Sequence, residues 1–443
     1  MRKLLFGLVW IVILVLLYPG HVQAAGITVS LDGEIVPLID PPILEQGRVL
    51  VPLRSIFEKM GATVNWNGAL KQVEIKRGSQ EIYLPVEGNQ AFINGVAYEI
   101  DVLPRLEKGR TFVPLRFISQ ALGARVNWDN LKRHVSVGTD FNNQPLPVWG
   151  YYVDHNSYVS LENNLDKINA ILPFSYKLDG SQIIENVYFP QGQTLAQTNN
   201  IPVYALVFAD DQEALSVALA SQNNRTALVE QIYDLVIKRG YQGVNLDFER
   251  IKAQDKDNYT LFVKELAGKL QPEGFHLSLS VPAKIHDEFS WTKAYDYAAL
   301  GKLADSLIIM AYDQHYSGSS PGPVASLKWV ESVVRYAVSQ IDSQKLVLGI
   351  GLYGYDWPAG QKGKTVDLAQ VLNLPHGEAG WSDEHYTPYY RYNDENDVEH
   401  EVWYENRRSI RGKIEVASKY NLAGIALWRL GLVPAEVWNV IAE

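Results

Sequence analysis

The sequence predicts an α/β protein, in which a (β/α)8 TIM barrel with a small insertion before its last strand follows a duplicated small α+β domain. Two observations predict this arrangement. From residue 147 onward, eight short apolar runs alternate with amphipathic helical patterns. Before that point, one pattern occurs twice at an offset of 62 residues. The length of 443 residues suits two or three domains, and a barrel of about 250 residues can be one of them.

Composition and charge exclude several classes of function. The formal net charge of −10 argues against a nucleic-acid partner. The absence of cysteine excludes disulfides, thiolate metal sites and a cysteine nucleophile. The 11 Trp and 25 Tyr exceed what a core requires, and flat rings with a polar edge suit stacking against sugars.

Residues 1–24 have the pattern of a secretory signal peptide. Arg2 and Lys3 precede an uncharged apolar run over residues 4–18, which is shorter than the roughly 20 residues that span a membrane. Small residues near Ala24 suit a cleavage site. We therefore expect a secreted protein, extracellular or associated with a cell wall or spore, with no membrane contact after cleavage. The lack of cysteine in an exported protein favours a Gram-positive bacterial source.

Residues 25–141 contain the duplicated module. Residues 47–54 match residues 109–116, and residues 61–66 match residues 123–128. Each copy is predicted to form a hairpin, a strand, a short helix and a further strand. The two predicted helices span residues 53–60 and 115–122.

This repeated pattern resembles the copper amine oxidase N-terminal domain, a stalk module of secreted Gram-positive proteins. The resemblance implies a spacer that associates with the cell wall or a surface layer. Copper does not follow from it, because no His or Cys lies between residues 25 and 133 to supply the usual ligands. We expect neither a metal site nor catalysis in this domain.

Residues 142–443 are predicted to form the barrel. Helical patterns such as residues 226–239 and 258–270 separate its strands, and residues 355–404 are too many for a plain loop, so we expect a small insertion there. Catalytic residues of such barrels lie at the carboxyl ends of the strands. The predicted strands are residues 148–153, 170–176, 202–208, 243–248, 276–281, 306–312, 346–352 and 424–428.

The fourth strand carries the strongest chemical signal. Because side chains alternate along a strand, Asn245, Asp247 and Glu249 share one face. A strand of a parallel sheet is normally apolar on both faces, and buried polar groups are costly without a function. An ion-paired structural cluster is the alternative, but Arg250 is the one basic residue nearby. The pattern favours catalysis.

The same strand resembles the D-x-x-D-x-D-x-E signature of glycoside hydrolase family 18. Gln242 and Asn245 stand in place of its first two aspartates, whereas Asp247 and Glu249 are retained. The segment 310–313 matches the M-x-Y-D motif of the sixth strand, and the eighth strand ends in a matching tryptophan. Within the family, the chain is most similar to spore cortex peptidoglycan N-acetylglucosaminidases. The resemblance covers residues 147–443.

The resemblance implies a retaining hydrolase of β-1,4-linked N-acetylglucosamine polymers that needs no cofactor. In its substrate-assisted mechanism, Glu249 is the general acid and base, Asp247 holds the substrate acetamide, and Tyr312 hydrogen-bonds that group. We also expect a hydrogen bond from the Asn245 amide to Asp247, which would keep Asp247 ionised to lower pH. The expected substrate-binding residues are Asn245, Asp313, Trp428, Tyr152, Met310 and Tyr353.

Three readings of function stay open at this point. The first is a hydrolase of cell-wall or spore cortex peptidoglycan. The second keeps the family and takes chitin as the substrate. The third is a non-catalytic, chitinase-like lectin in a surface layer, which the presence of Glu249 disfavours because such relatives typically lose that glutamate.

Overall fold

The computed structural model describes residues 26–77, 80–86, 89–93, 96–100, 102–122, 124–129, 132–138, 145–287, 289–433 and 435–441. The chain divides into two compact units at residue 140. The expected signal peptide, residues 1–24, lies outside the described residues.

The N-terminal unit consists of three small sheets and two short helices. The sheets have the orders β12-β13-β1-β2, β10-β11-β4-β3 and β5-β6-β7-β8-β9. The elements are β1 (Thr28–Leu31), β2 (Glu34–Ile35), β3 (Ile43–Glu45), β4 (Arg48–Pro52), α1 (Leu53–Phe57), β5 (Thr63–Asn67), β6 (Gln72–Arg77), β7 (Gln80–Pro85), β8 (Gln90–Ile93), β9 (Val96–Glu99), β10 (Arg105–Glu107), β11 (Arg110–Pro114), α2 (Leu115–Ala121), β12 (Arg125–Asp129) and β13 (His134–Gly138).

The two repeats meet through equivalent strands. Strand β4 pairs antiparallel with β11, and Val51 lies opposite Val113, its own counterpart 62 residues later. Each of these strands leads directly into a helix, α1 or α2, as the repeat predicts. Helix α1 ends earlier than predicted, because the chain turns after Phe57 and Gly61 adopts a φ of +79°.

His134 is the one histidine between residues 25 and 141, so any copper site of this unit would depend on it. Its Nδ1 lies 2.8 Å from the Thr28 hydroxyl, and its Nε2 lies 2.9 Å from the Ser30 hydroxyl. Both ring nitrogens are thus engaged by β1. The residues of this unit do not fit a copper centre.

The C-terminal unit contains fifteen strands and ten helices among its described residues. They are β14 (Val148–Tyr152), α3 (His155–Glu162), β15 (Ala170–Pro173), β16 (Tyr176–Asp179), β17 (Gln182–Glu185), α4 (Pro190–Thr198), β18 (Tyr204–Ala209), α5 (Gln212–Ala220), α6 (Gln222–Arg239), β19 (Gly243–Phe248), α7 (Lys256–Leu270), β20 (His276–Pro282), α8 (Tyr297–Leu303), β21 (Ser306–Met310), α9 (Leu327–Gln340), β22 (Leu346–Gly351), β23 (Tyr353–Pro358), β24 (Lys364–Asp367), α10 (Leu368–Val371), β25 (Gly377–Ser382), β26 (Thr387–Asn393), β27 (Glu399–Trp403), α11 (Arg407–Lys419), β28 (Gly424–Trp428) and α12 (Ala435–Ile441).

Eight parallel strands form a curled sheet whose ends meet. The order β15-β14-β28-β22-β21-β20-β19-β18 is parallel throughout. A parallel bridge between Ile171 and Val203 joins β15 to the start of β18, and the Ile171 N–H donates to the Pro202 carbonyl at 3.0 Å. Each of the eight predicted apolar runs overlaps one of these strands. The fold is TIM-barrel-like.

Two further predicted elements of the C-terminal unit show how local hydrogen bonds set their bounds. The second predicted strand, 170–176, is interrupted after Pro173, where the Ser175 N–H donates to the Pro173 carbonyl and forms a local turn. The chain then continues as the β16–β17 hairpin. Helix α6 starts before residue 226, because the Ser221 side chain accepts a hydrogen bond from the Asn224 N–H and caps the helix.

Side-chain alternation divides the apolar residues of the curled sheet into two cores. The larger core lies between the strands and the surrounding helices, and it includes Val244, Leu246 and Phe248. The smaller core lies on the opposite face of the strands and includes Tyr151 and Ile308. A residue's parity within its strand therefore decides whether it faces the helices or the interior of the curled sheet.

The predicted insertion is a five-stranded antiparallel sheet between β22 and β28. Its strand order is β24-β23-β27-β26-β25. One face groups Tyr353, Tyr355 and Trp403 in an apolar cluster with the partly buried ring of Tyr312. The other face groups residues around Val402, with Tyr404 at its edge.

Candidate active site

Strand β19 presents its polar residues to the interior. The Phe248 ring stacks on that of Phe262 in helix α7, with ring centroids 5.8 Å apart. Side chains of β19 that alternate in step with Phe248 therefore face the helices. Asn245, Asp247 and Glu249 have the opposite parity and face inward. This is the shared face that the sequence predicts for the three polar residues.

Asp247 is almost completely buried, with 4% of its surface exposed. Its Oδ1 has no hydrogen-bond partner among the described residues. Burial raises the pKa of Asp247 well above its ordinary value, and the negative charge of Glu249 raises it further. Within the described part of the chain, the site therefore holds a carboxyl group that no cation neutralises.

Glu249 follows β19 and is less buried than Asp247. Burial raises its pKa, and the negative charges of Asp210 and Asp313 add to this effect, whereas Arg250 opposes it. A carboxyl group with a raised pKa stays protonated to higher pH, which suits a general acid.

Asp210 comes to this site from the neighbouring strand. In the β18–β19 ladder, Ala209 lies opposite Phe248, and the Glu249 N–H donates to the Ala209 carbonyl at 2.7 Å. Asp210 is the residue after the end of β18, and Glu249 is the residue after the end of β19. The two residues therefore lie next to each other. Parallel strands that end together bring these two carboxylates to one edge.

Asn245 is held by serines of the neighbouring strand β20, and its role as a substrate ligand stays a prediction. The side chain is fully buried, its Nδ2 donates to the Ser278 hydroxyl at 3.0 Å, and its Oδ1 accepts from the Ser280 hydroxyl at 3.0 Å. Ser280 in turn lies 2.9 Å from the Tyr151 hydroxyl. Among the described residues the expected hydrogen bond from Asn245 to Asp247 is not formed, and serines of β20 contact both ends of the amide.

The predicted M-x-Y-D residues lie at the end of strand β21 and directly after it, near the inward face of β19. Met310 ends the strand, in register between Pro282 of β20 and Gly349 of β22. Tyr312 lies two residues further on, with the same parity, and its ring is 6.2 Å from that of Tyr353. Burial raises the pKa of Tyr312 well above its ordinary value, and the nearby negative groups act in the same direction.

Asp313 is held by two tyrosines of the insertion sheet. Its Oδ1 accepts hydrogen bonds from the Tyr353 hydroxyl at 2.5 Å and from the Tyr355 hydroxyl at 3.1 Å. Its backbone has a φ of +60°, a conformation that aspartate tolerates better than most residues. Burial of the carboxylate raises its pKa, and the two hydroxyls partly offset this. Tyr353 thus contacts Asp313 as a positioning group.

Trp428 ends the last barrel strand and lies beside the inward-facing aromatic residues. Its ring meets Tyr151 edge-on at 5.0 Å and Phe174 edge-on at 6.0 Å. It is also partly buried against the apolar cluster of the insertion sheet. The residue therefore links the barrel interior to the insertion.

Tyr152 lies on the face of β14 that packs in the larger core, and its role as a substrate-binding residue stays a prediction. Its ring packs edge-on against Phe189 at 5.1 Å, and a Cβ at Gly192 would lie 2.5 Å from the ring. Tyr152 is therefore enclosed by helix α4. The inward-facing residue of that strand end is Tyr151, whose pKa burial raises well above its ordinary value, with a further contribution from Asp247.

Three residues of the site were not identified from the sequence. Tyr151 has the correct parity where Tyr152 does not, and alternation counted from Trp149 would have indicated it. Asp210 directly follows a buried apolar run, a placement typical of residues at a barrel's active edge. Tyr355 is two residues after Tyr353 and therefore shares its face.

Within the described ranges, no group of three or more His, Cys, Asp and Glu side chains could hold a metal ion. The helices described for this chain include none that is long and apolar enough to cross a membrane.

Two family models match the chain. The model described as "Glycosyl hydrolases family 18" matches residues 147–432, more than half of the chain. The model described as "Copper amine oxidase N-terminal domain" matches residues 30–137. Both resemblances noted in the sequence are thereby confirmed.

Individual proteins show the same relationship. YdhD of Bacillus subtilis (strain 168), named as a sporulation-specific glycosylase, is 38% identical over 228 residues, which are 50% of this chain and 54% of YdhD. The cortical fragment-lytic enzyme of the same organism is 27% identical over 266 residues, 57% of this chain and 62% of that enzyme. The chain thus spans less than two thirds of the length of either relative.

A solved structure supports the fold. The crystal structure of a chitinase from Chromobacterium violaceum superposes with a TM-score of 0.64 at 26% identity, covering 67% of this chain and 98% of the chitinase. A polar strand face, the M-x-Y-D segment and the terminal tryptophan therefore lie on a scaffold shared with a glycan-cleaving enzyme.

Proposed function

Since the chain belongs to family 18 of the glycosyl hydrolases and is a glycosidase, we propose that it cleaves β-1,4 bonds of N-acetylglucosamine-containing polymers with retention of configuration. Peptidoglycan of a cell wall or spore cortex is the proposed substrate. The observation that carries the proposal is the inward-facing pair Asp247 and Glu249, two carboxyl groups with raised pKa values, of which only that of Glu249 is partly offset by a cation, Arg250.

In the first step, Glu249 donates its proton to the glycosidic oxygen. The bond between that oxygen and the anomeric carbon breaks, and the leaving chain departs as an alcohol. The carbonyl oxygen of the substrate's own 2-acetamido group bonds to the anomeric carbon from the opposite side, giving an oxazolinium intermediate. The raised pKa of Glu249 supports this role, because the acid must be protonated when substrate binds.

Asp247 and Tyr312 act on the acetamide. We assign to the Asp247 carboxylate the acetamide N–H and the positive charge that develops beside it. The Oδ1 atom without a partner supports this role, because substrate would supply the missing donor. The Tyr312 hydroxyl would donate to the acetamide oxygen, on the partly buried side of the groove.

In the second step, the Glu249 carboxylate takes a proton from water as the water oxygen attacks the anomeric carbon. The oxazolinium ring opens, the acetamide is restored, and Glu249 is protonated again. Two inversions give net retention of configuration. The scheme requires an N-acetyl sugar on the non-reducing side of the cleaved bond, which disfavours glucans and xylans.

Met310, Asp313 and Trp428 complete the proposed site. Trp428 would form the floor beneath the sugar that contains the anomeric carbon, since its ring lies beside Tyr151 on the inward face. Asp313 would keep the local potential negative around Glu249 and hold it protonated. Tyr353 would act through Asp313 rather than by touching the sugar.

The test is a digestion of spore cortex, vegetative peptidoglycan and chitin oligomers by the wild type and by Glu249→Gln. Glu415→Gln, on the exposed side of α11, is the matched control. We expect new N-acetylglucosamine reducing ends from peptidoglycan, detected by mass spectrometry, with the wild type and the control alone. Early β-anomeric product in NMR spectra would support retention, and α-anomeric product would refute it.

Other outcomes decide between the remaining candidates. Cleavage of chitin alone would leave the proposed mechanism unchanged and would identify chitin as the substrate. The similarity to a chitinase is the observation that favours this second candidate. Binding without product from any polymer, equal in wild type and Glu249→Gln, would refute the proposed activity and favour a lectin.

The remaining assignments belong to the same proposal. Residues 1–24 would be removed as a signal peptide, residues 25–141 would form the stalk, and residues 142–443 the catalytic domain. The stalk would associate with the wall or a surface layer of a Gram-positive cell or spore. A pull-down of residues 25–141 on purified wall, compared with a denatured sample, tests that association.

A further inference from the structure

The backbone that carries Glu249 is held by a side chain from outside strand β19. Tyr295 lies in the segment between β20 and α8 and is 1% exposed. Its hydroxyl donates a hydrogen bond to the Phe248 carbonyl at 2.8 Å and accepts one from the Ile251 N–H at 3.4 Å. These two residues lie on either side of Glu249 and Arg250. Tyr295 therefore closes the turn over residues 248–251, which contains the proposed acid.

The peptide group between Phe248 and Glu249 is fixed at both of its polar atoms. Its N–H donates to the last carbonyl of β18 at 2.7 Å. On the other side, the last register pair of β19 with β20 is at Leu246, two residues before Phe248. Beyond that pair, the Tyr295 hydroxyl supplies the donor for the Phe248 carbonyl. The start of the turn is thus bound from both neighbouring sides.

The turn requires this support because its conformation is unfavourable for most residues. Arg250 has a φ of +57°, in the left-handed region that a residue with a Cβ rarely adopts. Such a conformation persists where the surrounding structure over-determines it. The two hydrogen bonds of Tyr295 lie before and after Arg250, so they hold the strained turn in one conformation.

Tyr295 is itself anchored by a buried lysine. Lys284 is 2% exposed, and its Nζ donates to the Tyr295 carbonyl at 2.6 Å and to Asp287 Oδ1 at 2.9 Å. Burial raises the pKa of the Tyr295 hydroxyl well above its ordinary value, so the hydroxyl keeps the proton that it donates. The contact is therefore fixed at its own backbone and adds no charge to the turn.

A second buried tyrosine packs against Tyr295 without contacting the turn in this way. The Tyr259 ring meets the Tyr295 ring edge-on at 5.9 Å, and Tyr259 is fully buried. The Tyr259 hydroxyl has no hydrogen-bond partner among the described residues. The two hydroxyls are both buried, but of the two it is that of Tyr295 that binds the backbone beside Glu249. Tyr259 is therefore a matched control.

We propose that Tyr295 is a positioning residue for the catalytic acid, because it holds the backbone on both sides of Glu249 and so fixes where the Glu249 carboxyl meets the glycosidic oxygen. The inference rests on the proposed function, in which Glu249 donates the proton. Tyr295 is buried, so it acts through the backbone and not by contact with the sugar. Proton transfer requires a donor at hydrogen-bond distance, and a displaced donor lowers the rate of the chemical step.

The test compares Tyr295→Phe with Tyr259→Phe on the polymer that the wild type cleaves. Each change removes one hydroxyl from a buried ring and leaves the charge of the site unchanged. We expect Tyr295→Phe to lower kcat about tenfold, with KM within about twofold of the wild type. Tyr259→Phe should keep both constants within about twofold. In the Glu249→Gln background, adding Tyr295→Phe should leave the Kd for the polymer within about twofold.

A pH profile separates positioning from a general loss of stability. The charged groups around the Glu249 carboxyl are Asp247, Asp210, Asp313 and Arg250. Neither tyrosine substitution changes them, and burial is the largest cause of the raised pKa of Glu249. A turn released by Tyr295→Phe admits water to this carboxyl, so its pKa should fall and the alkaline limb of kcat/KM should move to lower pH. The limb of Tyr259→Phe should stay in place.

Wild-type kcat and an unmoved alkaline limb in Tyr295→Phe would overturn the inference and leave the hydrolase intact. Equal losses of kcat in Tyr295→Phe and Tyr259→Phe would also overturn it, since packing of the two rings would then be the cause. No cleavage of any polymer by the wild type would instead refute the proposed function.

A second variant keeps the inference testable where Tyr295→Phe does not fold. Lys284→Met removes the donor to the Tyr295 carbonyl and keeps the Tyr295 hydroxyl. It should lower kcat and move the alkaline limb in the same direction as Tyr295→Phe, with KM unchanged. Wild-type values of kcat and of the limb in folded Lys284→Met would then overturn the inference.

Discussion

Two buried carboxyl groups of the C-terminal unit have neighbours of opposite charge. Glu405 and Asp247 are each 4% exposed, and each has one oxygen without a hydrogen-bond partner among the described residues. Glu405 accepts hydrogen bonds from Lys413 Nζ and from the Ser409 hydroxyl, both at 2.6 Å. Asp247 has no comparable cation, and its neighbour Glu249 is another acid.

The difference distinguishes a buried carboxyl group with a structural role from one with a proposed chemical role. Burial raises the pKa of Glu405 too, but Lys413 and Ser409 act against it. Around Asp247, both burial and Glu249 raise the pKa. The structural carboxyl group of Glu405 is thus paired with a lysine of helix α11, whereas in the inward pair of β19 a cation, Arg250, opposes the raised pKa of Glu249 alone.

The largest expected effect is the loss of turnover in Glu249→Gln. Without the proton donor, kcat should fall about 10²- to 10⁴-fold on the polymer that the wild type cleaves. Because the folded-state pKa of Glu249 is raised, its ionised form destabilises the fold at neutral pH. The variant should therefore melt at a higher temperature than wild type at pH 7, and this gain should vanish below about pH 4. An unchanged melting temperature at pH 7 would contradict this reading.

The opposite result is expected from Lys413→Met. This change leaves Glu405 buried without its cation, and removing one partner of a buried pair destabilises by about 3–5 kcal/mol. The measurement is denaturant unfolding followed by tryptophan fluorescence. The double variant Glu405→Gln/Lys413→Met should recover much of the loss. A loss below about 1 kcal/mol in the single variant would show that the pair does not matter.

A smaller effect is expected from Asp210→Asn. Removing this charge lowers the pKa of Glu249, which must be protonated to act as the acid. The alkaline limb of kcat/KM should move to lower pH, while kcat at the optimum changes by less than about twofold. Asp211→Asn, at the neighbouring helix cap, is the control that should leave the limb in place. An unmoved limb in Asp210→Asn would remove Asp210 from the site.

The smallest effect is expected from Tyr355→Phe. It removes the longer of the two hydrogen bonds to Asp313, at 3.1 Å, and leaves the Tyr353 bond at 2.5 Å. We expect a stability loss of about 0.5–1.5 kcal/mol and a rate change within about fivefold. Tyr353→Phe, tested beside it, should have the larger effect on rate. The reverse order would show that Tyr355 is the main support of Asp313.

The sequence predicted the features that depend on one strand at a time. Alternation along β19 was sufficient to place Asp247 and Glu249 on one face, since strand periodicity is local. The partners of Asn245 could not be predicted, because Ser278 and Ser280 reach it through the register of β19 against β20. Strand β14 has buried residues on both faces, so polarity did not reveal that Tyr152 packs in the larger core and Tyr151 in the smaller one.

The contacts of the insertion could not be predicted from the sequence either, because they too depend on how strands pair with one another. Its length predicted an extra structure, but not that β23 would hold Asp313. The place of β23 in the insertion depends on its antiparallel pairing with β27, which brings together residues almost fifty positions apart.

The pairing of β4 with β11 gives the two repeats of the N-terminal unit a symmetric contact. Val51 faces its own counterpart Val113, and the flanking pairs are symmetric about that point. This is the isologous contact that two identical subunits make across a twofold axis. At this contact the two repeats of one chain therefore pair as the two subunits of a homodimer would. A single repeat expressed alone would expose β4 as an open edge and would self-associate through it.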